Sequence, residues 1–214
     1  MSTTSDDRPP SELRAALLEA AAHLIAADGP ERLTLRRIAD EVGTSTMAIY
    51  THFGGMPALR RALRREGFTR LSARLADSSE SEDPVADLAS LCLAYYEYAT
   101  ANSQLYRVVF MEEPLGDDDA VIGSEPFEIL VAGVRRCIAG GAFHPAEPTE
   151  LATQIWVLGH GGVTLQLARL LTPEQASTCL IGALLQLFNA YGAGVEAARR
   201  SIESAVATAS DTHR

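Results

Sequence analysis

Apolar residues recur at intervals of three and four along most of the chain, which is the spacing of one face of an α-helix. The first such block runs from about Ser11 to Asp28, and Gly29-Pro30 closes it. No stretch alternates between apolar and polar residues as a half-buried β-strand would. We therefore predict an all-α fold of about nine helices, which begin near residues 11, 35, 46, 57, 84, 102, 125, 149 and 174, the last three ending near 139, 171 and 196.

Prolines, glycines and polar stretches divide these helices into two domains with loose ends. Residues 1–10 are polar and contain two prolines, which predicts a disordered arm. A small domain is expected over 11–76, in which 57–76 forms a linking helix. A larger, more apolar domain follows over 83–200, and the Ala- and Ser-rich residues 201–214 are expected to form a flexible tail.

Charge is distributed unevenly between the two halves of the chain. Residues 1–76 carry 11 Arg and nine acidic residues, a balance of +2, whereas the remainder carries 7 Arg and 19 acidic residues, a balance of −12. The net charge of −10 argues against nucleic acid as a partner of the whole surface. The asymmetry nevertheless allows a small segment to meet phosphates while the rest of the protein does not.

The composition indicates an ordinary globular protein, since 47% of its 214 residues are hydrophobic. No apolar run reaches the ~18 to 20 residues of a membrane span. The first residues lack the layout of a signal peptide, so we expect a cytoplasmic protein with no membrane contact. The three cysteines, Cys92, Cys137 and Cys179, are widely separated and form no CxxC pair, so neither a disulfide framework, a metal nor a cofactor is indicated.

The most informative segment consists of two short helices joined by a tight turn. Thr34 can cap the first helix, Leu35–Val42, and Gly43 permits the left-handed backbone that a tight turn requires. Ser45 then suits the N-cap of the second helix, Thr46–Phe53. This arrangement predicts a helix-turn-helix, although two helices with a glycine turn also occur in hairpins that only pack.

The second short helix has two distinct faces. Ile49 and Phe53 lie four residues apart and face its neighbours, whereas hydroxyls, a tyrosine and a thioether share the opposite face. Such side chains suit a DNA major groove, where hydroxyls bond base edges or phosphates and apolar atoms touch thymine methyls. The outward residues are Thr46, Met47, Tyr50 and Thr51.

The run T-L-R-R-I-A-D-E-V-G-T-S-T-M-A-I-Y-T-H-F, Thr34 to Phe53, resembles the signature of the tetracycline-repressor (TetR) family of regulators. The resemblance also covers the preceding helix and its Gly29 turn. It implies binding to double-stranded operator DNA. Members of the family typically act as repressors, and a small molecule releases them from the operator. The DNA-contacting positions that it implies are Thr34, Arg36, Thr44, Ser45, Thr46, Met47, Tyr50, Thr51 and His52.

One position departs from the family pattern. The family usually has a Lys three residues after the Phe of the motif, where this chain has Met56. A phosphate contact is therefore missing or displaced to Arg60 or Arg61. Because the second helix has no Arg, Asn or Gln to pair bidentately with a purine, we predict modest direct readout, much of it through Arg36.

The larger domain gives weaker signals, which the resemblance helps to interpret. The family generally dimerises through its last two long helices, which implies a homodimer through 149–171 and 174–196, with Leu180, Leu184 and Phe188 as interface candidates. Trp156-x-x-x-His160-Gly161 resembles a subset of these regulators named WHG-type. A pocket for a small apolar or amphipathic effector is expected, although plain core packing is the alternative for its candidate walls, Tyr95, Tyr96, Phe110, Met111, Trp156 and His160.

Two other classes of function compete with a regulator. An enzyme is disfavoured, since neither GxxxxGK[ST] nor GxGxxG occurs and no oriented third group accompanies Cys179 and His160. A helical protein–protein module with a vestigial helix-turn-helix is supported only by Met56 and the acidic net charge. The sequence therefore favours a DNA-binding transcriptional regulator that is not an enzyme.

Overall fold

The structure, a computed structural model, describes residues 9–77, 80–112 and 123–212, and contains no β-strand within them. Ten α-helices are present in these ranges, together with a short 3-10 helix at Pro30–Arg32 and a π-helical turn at Arg107–Met111 that continues α6. The all-α prediction is confirmed. The helices are α1 Pro10–Asp28, α2 Leu35–Val42, α3 Thr46–Phe53, α4 Met56–Ala76, α5 Pro84–Ala101, α6 Ser103–Tyr106, α7 Ser124–Ala139, α8 Pro148–Leu167, α9 Pro173–Ala190 and α10 Val195–Thr212.

The last three helices differ from the sequence prediction. Helix α8 ends at Leu167, four residues early, and Arg169 just beyond it has a left-handed backbone with φ of 59°. The predicted helix 174–196 is two helices, because α9 ends at Ala190 and α10 begins at Val195. The expected flexible tail from residue 201 is wrong for the described residues, which continue α10 to 212 and bury Ser201, Ile202 and Ala205. Of the predicted arm, residues 1–8 lie outside the described residues.

The first compact unit is built from two separate stretches of the chain, the described residues of 1–69 and of 102–123. Its core contains the inward faces of α1 to α4, with Leu17, Ile38 and Ile49 fully buried. Val108 of the π-helical turn lies in that same core. Phe68 of α4 packs with Leu105 and Val109 in a smaller adjoining cluster.

Polar contacts also bind the second stretch into the first unit. Arg60 of α4 forms an ion pair with Glu112 and donates to the Pro30 carbonyl at 2.9 Å. Arg107 pairs with Glu31 at 3.2 Å. A side chain at Gly67 of α4 would collide with the Cγ2 of Val109, so close packing requires glycine there. The predicted domain 11–76 is therefore incomplete without residues 103–112.

The second unit comprises the described residues of 70–101 and 124–214. Its core is formed by α5, α7, α8, α9 and α10, and includes Leu88, Val134, Leu151, Leu184 and Phe188. The cysteines Cys92 and Cys137 lie buried in it, and burial raises the pKa of each thiol to about 12. Both thiols are therefore packing residues rather than nucleophiles.

A polar network fixes the start of α5 in this unit. Asp83 caps the helix, its Oδ1 accepting from the Val85 and Ala86 amides at 3.0 Å, and its Oδ2 accepts from Ser201 of α10 at 2.7 Å. Arg136 of α7 donates to Asp87 at 2.8 Å. Burial alone would raise the pKa of Asp87, but hydrogen bonds from Ser81 and Arg136 hold it below its usual value. The stretch that separates the domains in sequence is thus anchored at its end.

Candidate nucleic-acid interface and effector cluster

Both helices of the helix-turn-helix begin at the predicted N-caps. The Thr34 Oγ1 accepts from the Arg37 amide at 3.3 Å, and the Ser45 Oγ accepts from the Ala48 amide at the same distance. Gly43 ends α2 with φ of 76° and ψ of 33°, a left-handed conformation that costs other residues more than glycine. The helix bounds and caps predicted here are confirmed.

The two faces of α3 are also as predicted. Ile49 is fully buried and Phe53 nearly so, whereas Met47 is 70% and Tyr50 52% exposed. Thr46 and Thr51 are exposed beside them. The Thr51 hydroxyl donates back to the Met47 carbonyl at 3.0 Å, so its hydrogen is engaged within the helix.

The Tyr50 ring has a defined place on this surface. Gly55 follows α3 with φ of +133°, and a Cβ built on it would lie 3.5 Å from the Tyr50 ring. The ring therefore rests against the Gly55 backbone while half of its surface stays exposed. The role of Gly55 beside Tyr50 was not predicted from the sequence.

The arginines near this surface have different degrees of freedom. The Arg36 side chain is 88% exposed, with only a long contact of 3.8 Å to Asp40. Arg37 forms an ion pair with Asp28 and donates to the Arg32 carbonyl at 3.1 Å. The hydrogen bond from Arg37 holds the pKa of Asp28 below its usual value. Arg36 is thus the arginine of α2 that remains available to a partner.

The remaining predicted positions lie at the edge of this surface. Thr44 and His52 are half-buried. Met56, where a Lys is usual, is half-buried and packs against the core of the first unit. Arg60 is committed to Glu112 and Pro30, which leaves Arg61 as the candidate for the displaced phosphate contact.

A second cluster of interest lies in the other unit, around His160 of α8. The Tyr95 hydroxyl lies 2.6 Å from the His160 Nδ1, and the two rings are parallel with centroids 5.2 Å apart. Trp156, one turn earlier, meets the His160 ring edge-on at 4.7 Å. A Cβ on Gly159 would lie 3.2 Å from the Tyr95 ring, so the glycine allows this close approach. Burial lowers the pKa of His160 to about 4, and the ring is neutral at pH 7.

The structure does not gather all six predicted effector residues into one unit. Tyr96 lies in the second unit and bonds to Gln166 of α8. Phe110 and Met111 belong to the first unit, where Phe110 packs edge-on against Phe68 at 5.1 Å. The correction arises because the π-helical turn folds with α4 and supplies that core, which the apolar pattern alone could not reveal.

The predicted dimer residues are also corrected. Leu180, Leu184 and Phe188 are 4%, 0% and 0% exposed and lie in the core of their own protomer. They form the inward stripe of α9 and are not accessible to a partner. The outward faces of α8 and α9 hold other residues instead, namely Val157, Gly161, Leu165, Cys179, Gly182 and Gln186.

That outward surface, which we call the α8/α9 face, lacks charged residues. Glu150 and Glu174 are the only charged residues in the two helices, and both lie in a first turn. Val157 is 63% and Leu165 42% exposed, and Gly161 and Gly182 have open space where a side chain would be. Counting charges along both helices could have identified this face from the sequence.

None of the described helices is long and apolar enough to cross a membrane. No group of three or more His, Cys, Asp and Glu within the described ranges could hold a metal ion.

Two family profiles match the chain. Residues 17–63 match the family described as bacterial regulatory proteins, tetR family, and residues 88–184 match the tetracyclin repressor-like C-terminal domain. The two matches correspond to the helix-turn-helix with its neighbours and to the part of the chain that holds α5, α7 and α8.

Individual proteins show the same relationship. The chain is 25% identical over 96 residues to the uncharacterized HTH-type transcriptional regulator YobS of Bacillus subtilis (strain 168), a match that covers 45% of this chain and only 50% of that relative. A protein of unknown function from Rhodococcus sp. RHA1 has a TM-score of 0.76 at 25% identity, covering 89% of this chain and all of the other. RolR, solved with resorcinol, shares the fold, with a TM-score of 0.67 at 14% identity over 90% of this chain and 94% of RolR.

Two capped helices joined by a three-residue turn, with the second helix exposed, define the helix-turn-helix class of DNA-binding regulators. Within that class, the two family matches, at residues 17–63 and 88–184, identify one family. The chain belongs to the TetR family of transcriptional regulators. Its assignment to the WHG-type subset, made on Trp156, His160 and Gly161, stays a prediction.

Proposed function

We propose that this protein is a cytoplasmic repressor that binds a palindromic operator as a homodimer and is released by a small apolar or amphipathic effector. The proposal rests on the exposed face of α3. Helices α2 and α3 are both capped, and their inward faces belong to a well-packed core, so the other face of α3 is directed outward. A helix so presented can enter the major groove, and two-fold symmetry would repeat it about 34–36 Å away.

Phosphate contacts would come from the turn and from the helix ends. The hydroxyls of Thr34 and Ser45 accept from backbone amides and keep their own hydrogens for phosphate oxygens. Thr44 and His52 lie close to them in the chain. Arg36 would reach a guanine or the backbone, because its guanidinium is exposed and only loosely held by Asp40.

The homodimer would form through the α8/α9 face. Exposed Val157 and Leu165 without neighbouring charges are costly to leave in water, and Gly161 and Gly182 allow a second helix to approach closely. Placing the same face of two protomers together would give a bundle of four helices.

The effector would bind at the cluster of Tyr95, Trp156 and His160, with Tyr96 nearby. Its neutral imidazole and hydroxyls can orient a polar group, while the aromatic rings supply apolar walls. RolR, a protein of the same fold, has been solved with the small aromatic diol resorcinol. A ligand of that general kind would act by preferring the conformer that does not fit the operator.

The test of DNA binding is a mobility-shift titration with the DNA upstream of the protein's own gene. We expect binding whose affinity falls steeply as salt is raised, because phosphate contacts release counterions. Arg36→Ala should weaken binding by about 1–3 kcal/mol if it makes a bidentate base contact. A correctly folded dimer that binds no promoter fragment would instead support the protein–protein module.

The test of the effector site uses Trp156, the single tryptophan of the chain. Small phenols and related aromatics should change its fluorescence. The same compounds should lower the affinity for the operator, and operator DNA should lower the affinity for the compound by the same factor. Compounds that change the fluorescence with no effect on DNA affinity would contradict the proposed release mechanism.

A further inference from the structure

We infer that Met47 is a specificity-determining residue that reads the C5 methyl group of thymine in each half of the operator. This inference rests on the proposed function, because it names the chemical feature of DNA that α3 would recognise. It goes beyond that function by assigning part of base selection to an apolar contact on α3, beside the hydrogen bonds proposed for Arg36.

The exposure of Met47 is the first observation. Its side chain is 70% exposed, more than any other large hydrophobic residue of α3, and it lies at the second position of that helix. Exposure of this apolar surface to water is unfavourable, and a partner that covers it gains free energy of binding. A flexible thioether can adapt to a methyl group of a groove.

The second observation is the shortage of competing readers. Helix α3, which the structure describes in full, contains no Arg, Lys, Asn or Gln. The hydroxyl hydrogen of Thr51 is engaged with the Met47 carbonyl, and Arg37 is committed to Asp28 and Arg32. On α3 itself, base-edge hydrogen bonds can therefore come from Thr46, from the Tyr50 hydroxyl and from the half-buried His52 ring at the end of the helix.

The third observation concerns the neighbour of Met47 on the same face. Tyr50 lies three residues on, with its ring resting on Gly55 and half exposed. Positions three apart on a helix share a face, so the exposed parts of both side chains lie on the outward side of α3. In the major groove, the C5 methyl group of thymine is the distinctive apolar feature among the base edges, so an apolar side chain here favours thymine over the other bases.

The experiment separates the methyl group from every other property of the base. The probe is the tightest duplex recovered by in vitro selection from a randomised pool with the full-length protein. Each thymidine of its half-site is replaced in turn by deoxyuridine, which removes only the C5 methyl. We expect one or two positions at which affinity falls about fourfold, the value for one buried methyl-sized group, and by about tenfold or more when both half-sites are changed.

Variants assign this sensitivity to one side chain. With Met47→Ala the ratio of affinities for thymidine and deoxyuridine duplexes should fall to about one, whereas Met47→Leu should keep most of it. Arg36→Ala is the matched control, since it should lower affinity for both duplexes and leave their ratio unchanged. Circular dichroism checks the fold, which an exposed position such as 47 should not disturb.

Three results would overturn the inference. Wild-type protein that binds the selected duplex with no loss at any deoxyuridine position has no methyl contact. A loss that persists undiminished in Met47→Ala would assign the contact to another residue. Failure to select any duplex would overturn the proposed function itself, and the inference with it, which distinguishes that outcome from the first two.

Discussion

At the scale of single residues, His160 shows how burial sets chemistry. It sits between Tyr95 and Trp156, and burial lowers its pKa to about 4 from an ordinary value of 6.5. The sequence predicted a polar handle or a core histidine at this position. The structure gives a half-buried, neutral ring with a tyrosine partner. That environment depends on the contact between α5 and α8 and could not be derived from either segment alone.

The titration of His160 gives a prediction about stability. Between pH 6.5 and 4 this residue is protonated in the unfolded chain but stays mostly neutral in the folded chain. The contribution to the free energy of unfolding is therefore complete above pH 6.5 and is lost as the pH falls toward 4, by up to about 3 kcal/mol. Urea denaturation at several pH values should show this decline in wild-type protein.

A matched pair of variants isolates that contribution. His160→Gln should show a shallower loss of stability between pH 6.5 and 4, whereas His144→Gln, at an exposed histidine, should behave as wild type. Parallel curves for wild-type protein and His160→Gln would contradict the assignment.

At the scale of secondary structure, local chemistry decided which predictions succeeded. The bounds of α2 and α3 follow from Thr34, Gly43 and Ser45, whose effects act within four residues, so the sequence alone predicts them. The break between α9 and α10 depends instead on how Gly192 and Gly194, both with positive φ, return the chain to the core. The burial of α10 against α5 is a long-range event that its Ala- and Ser-rich composition concealed.

Ser45 allows its two roles, as cap and as phosphate contact, to be separated. Ser45→Ala should lower the free energy of unfolding by about 1 kcal/mol, because it removes the acceptor for the Ala48 amide. Ser45→Asp should keep most of the stability, since Asp is a good cap, yet it should weaken DNA binding more than Ser45→Ala does, because its carboxylate would face phosphates. Thermal denaturation and mobility shifts measure the two effects. If Ser45→Asp bound DNA as wild type, the turn would not face the backbone.

At the scale of the whole molecule, the α8/α9 face gives the prediction about assembly. Val157→Arg should convert the homodimer to a monomer in sedimentation experiments, because a buried unpaired charge is costly. DNA affinity should fall as well, since a monomer meets only one half-site. Ser204→Arg adds the same charge at an exposed position of α10 and should leave the dimer intact. A Val157→Arg protein that stays dimeric would place the interface elsewhere.

The all-α fold and the family's helix-turn-helix are predicted correctly from the sequence. The first unit also takes in the described residues of 102–123, and residues 70–76 belong to the second. The predicted dimer candidates lie on the face of α9 that is turned into its own core. Leu180, Leu184 and Phe188 are the most apolar stripe, and an apolar stripe equally fits a core. Only the position of α9 among α5, α8 and α10 decides between these two roles. The charge-free outward face is the candidate that remains for the proposed dimer interface, because the inward stripe already supplies the core and no folding role accounts for an uncharged outward surface.

The contribution of residues 103–112 to the first unit has a consequence for recombination between relatives and for protein engineering. Val109 packs onto Gly67, and Glu112 pairs with Arg60. A single recombination crossover after α4 would therefore transfer the helix-turn-helix without residues that complete the core of its unit. Functional hybrids between relatives would have to exchange two stretches together, with three junctions. Substitutions at positions 60, 67 and 68 should accordingly be accepted in concert with those at 105, 109 and 112, so that the two stretches evolve as one.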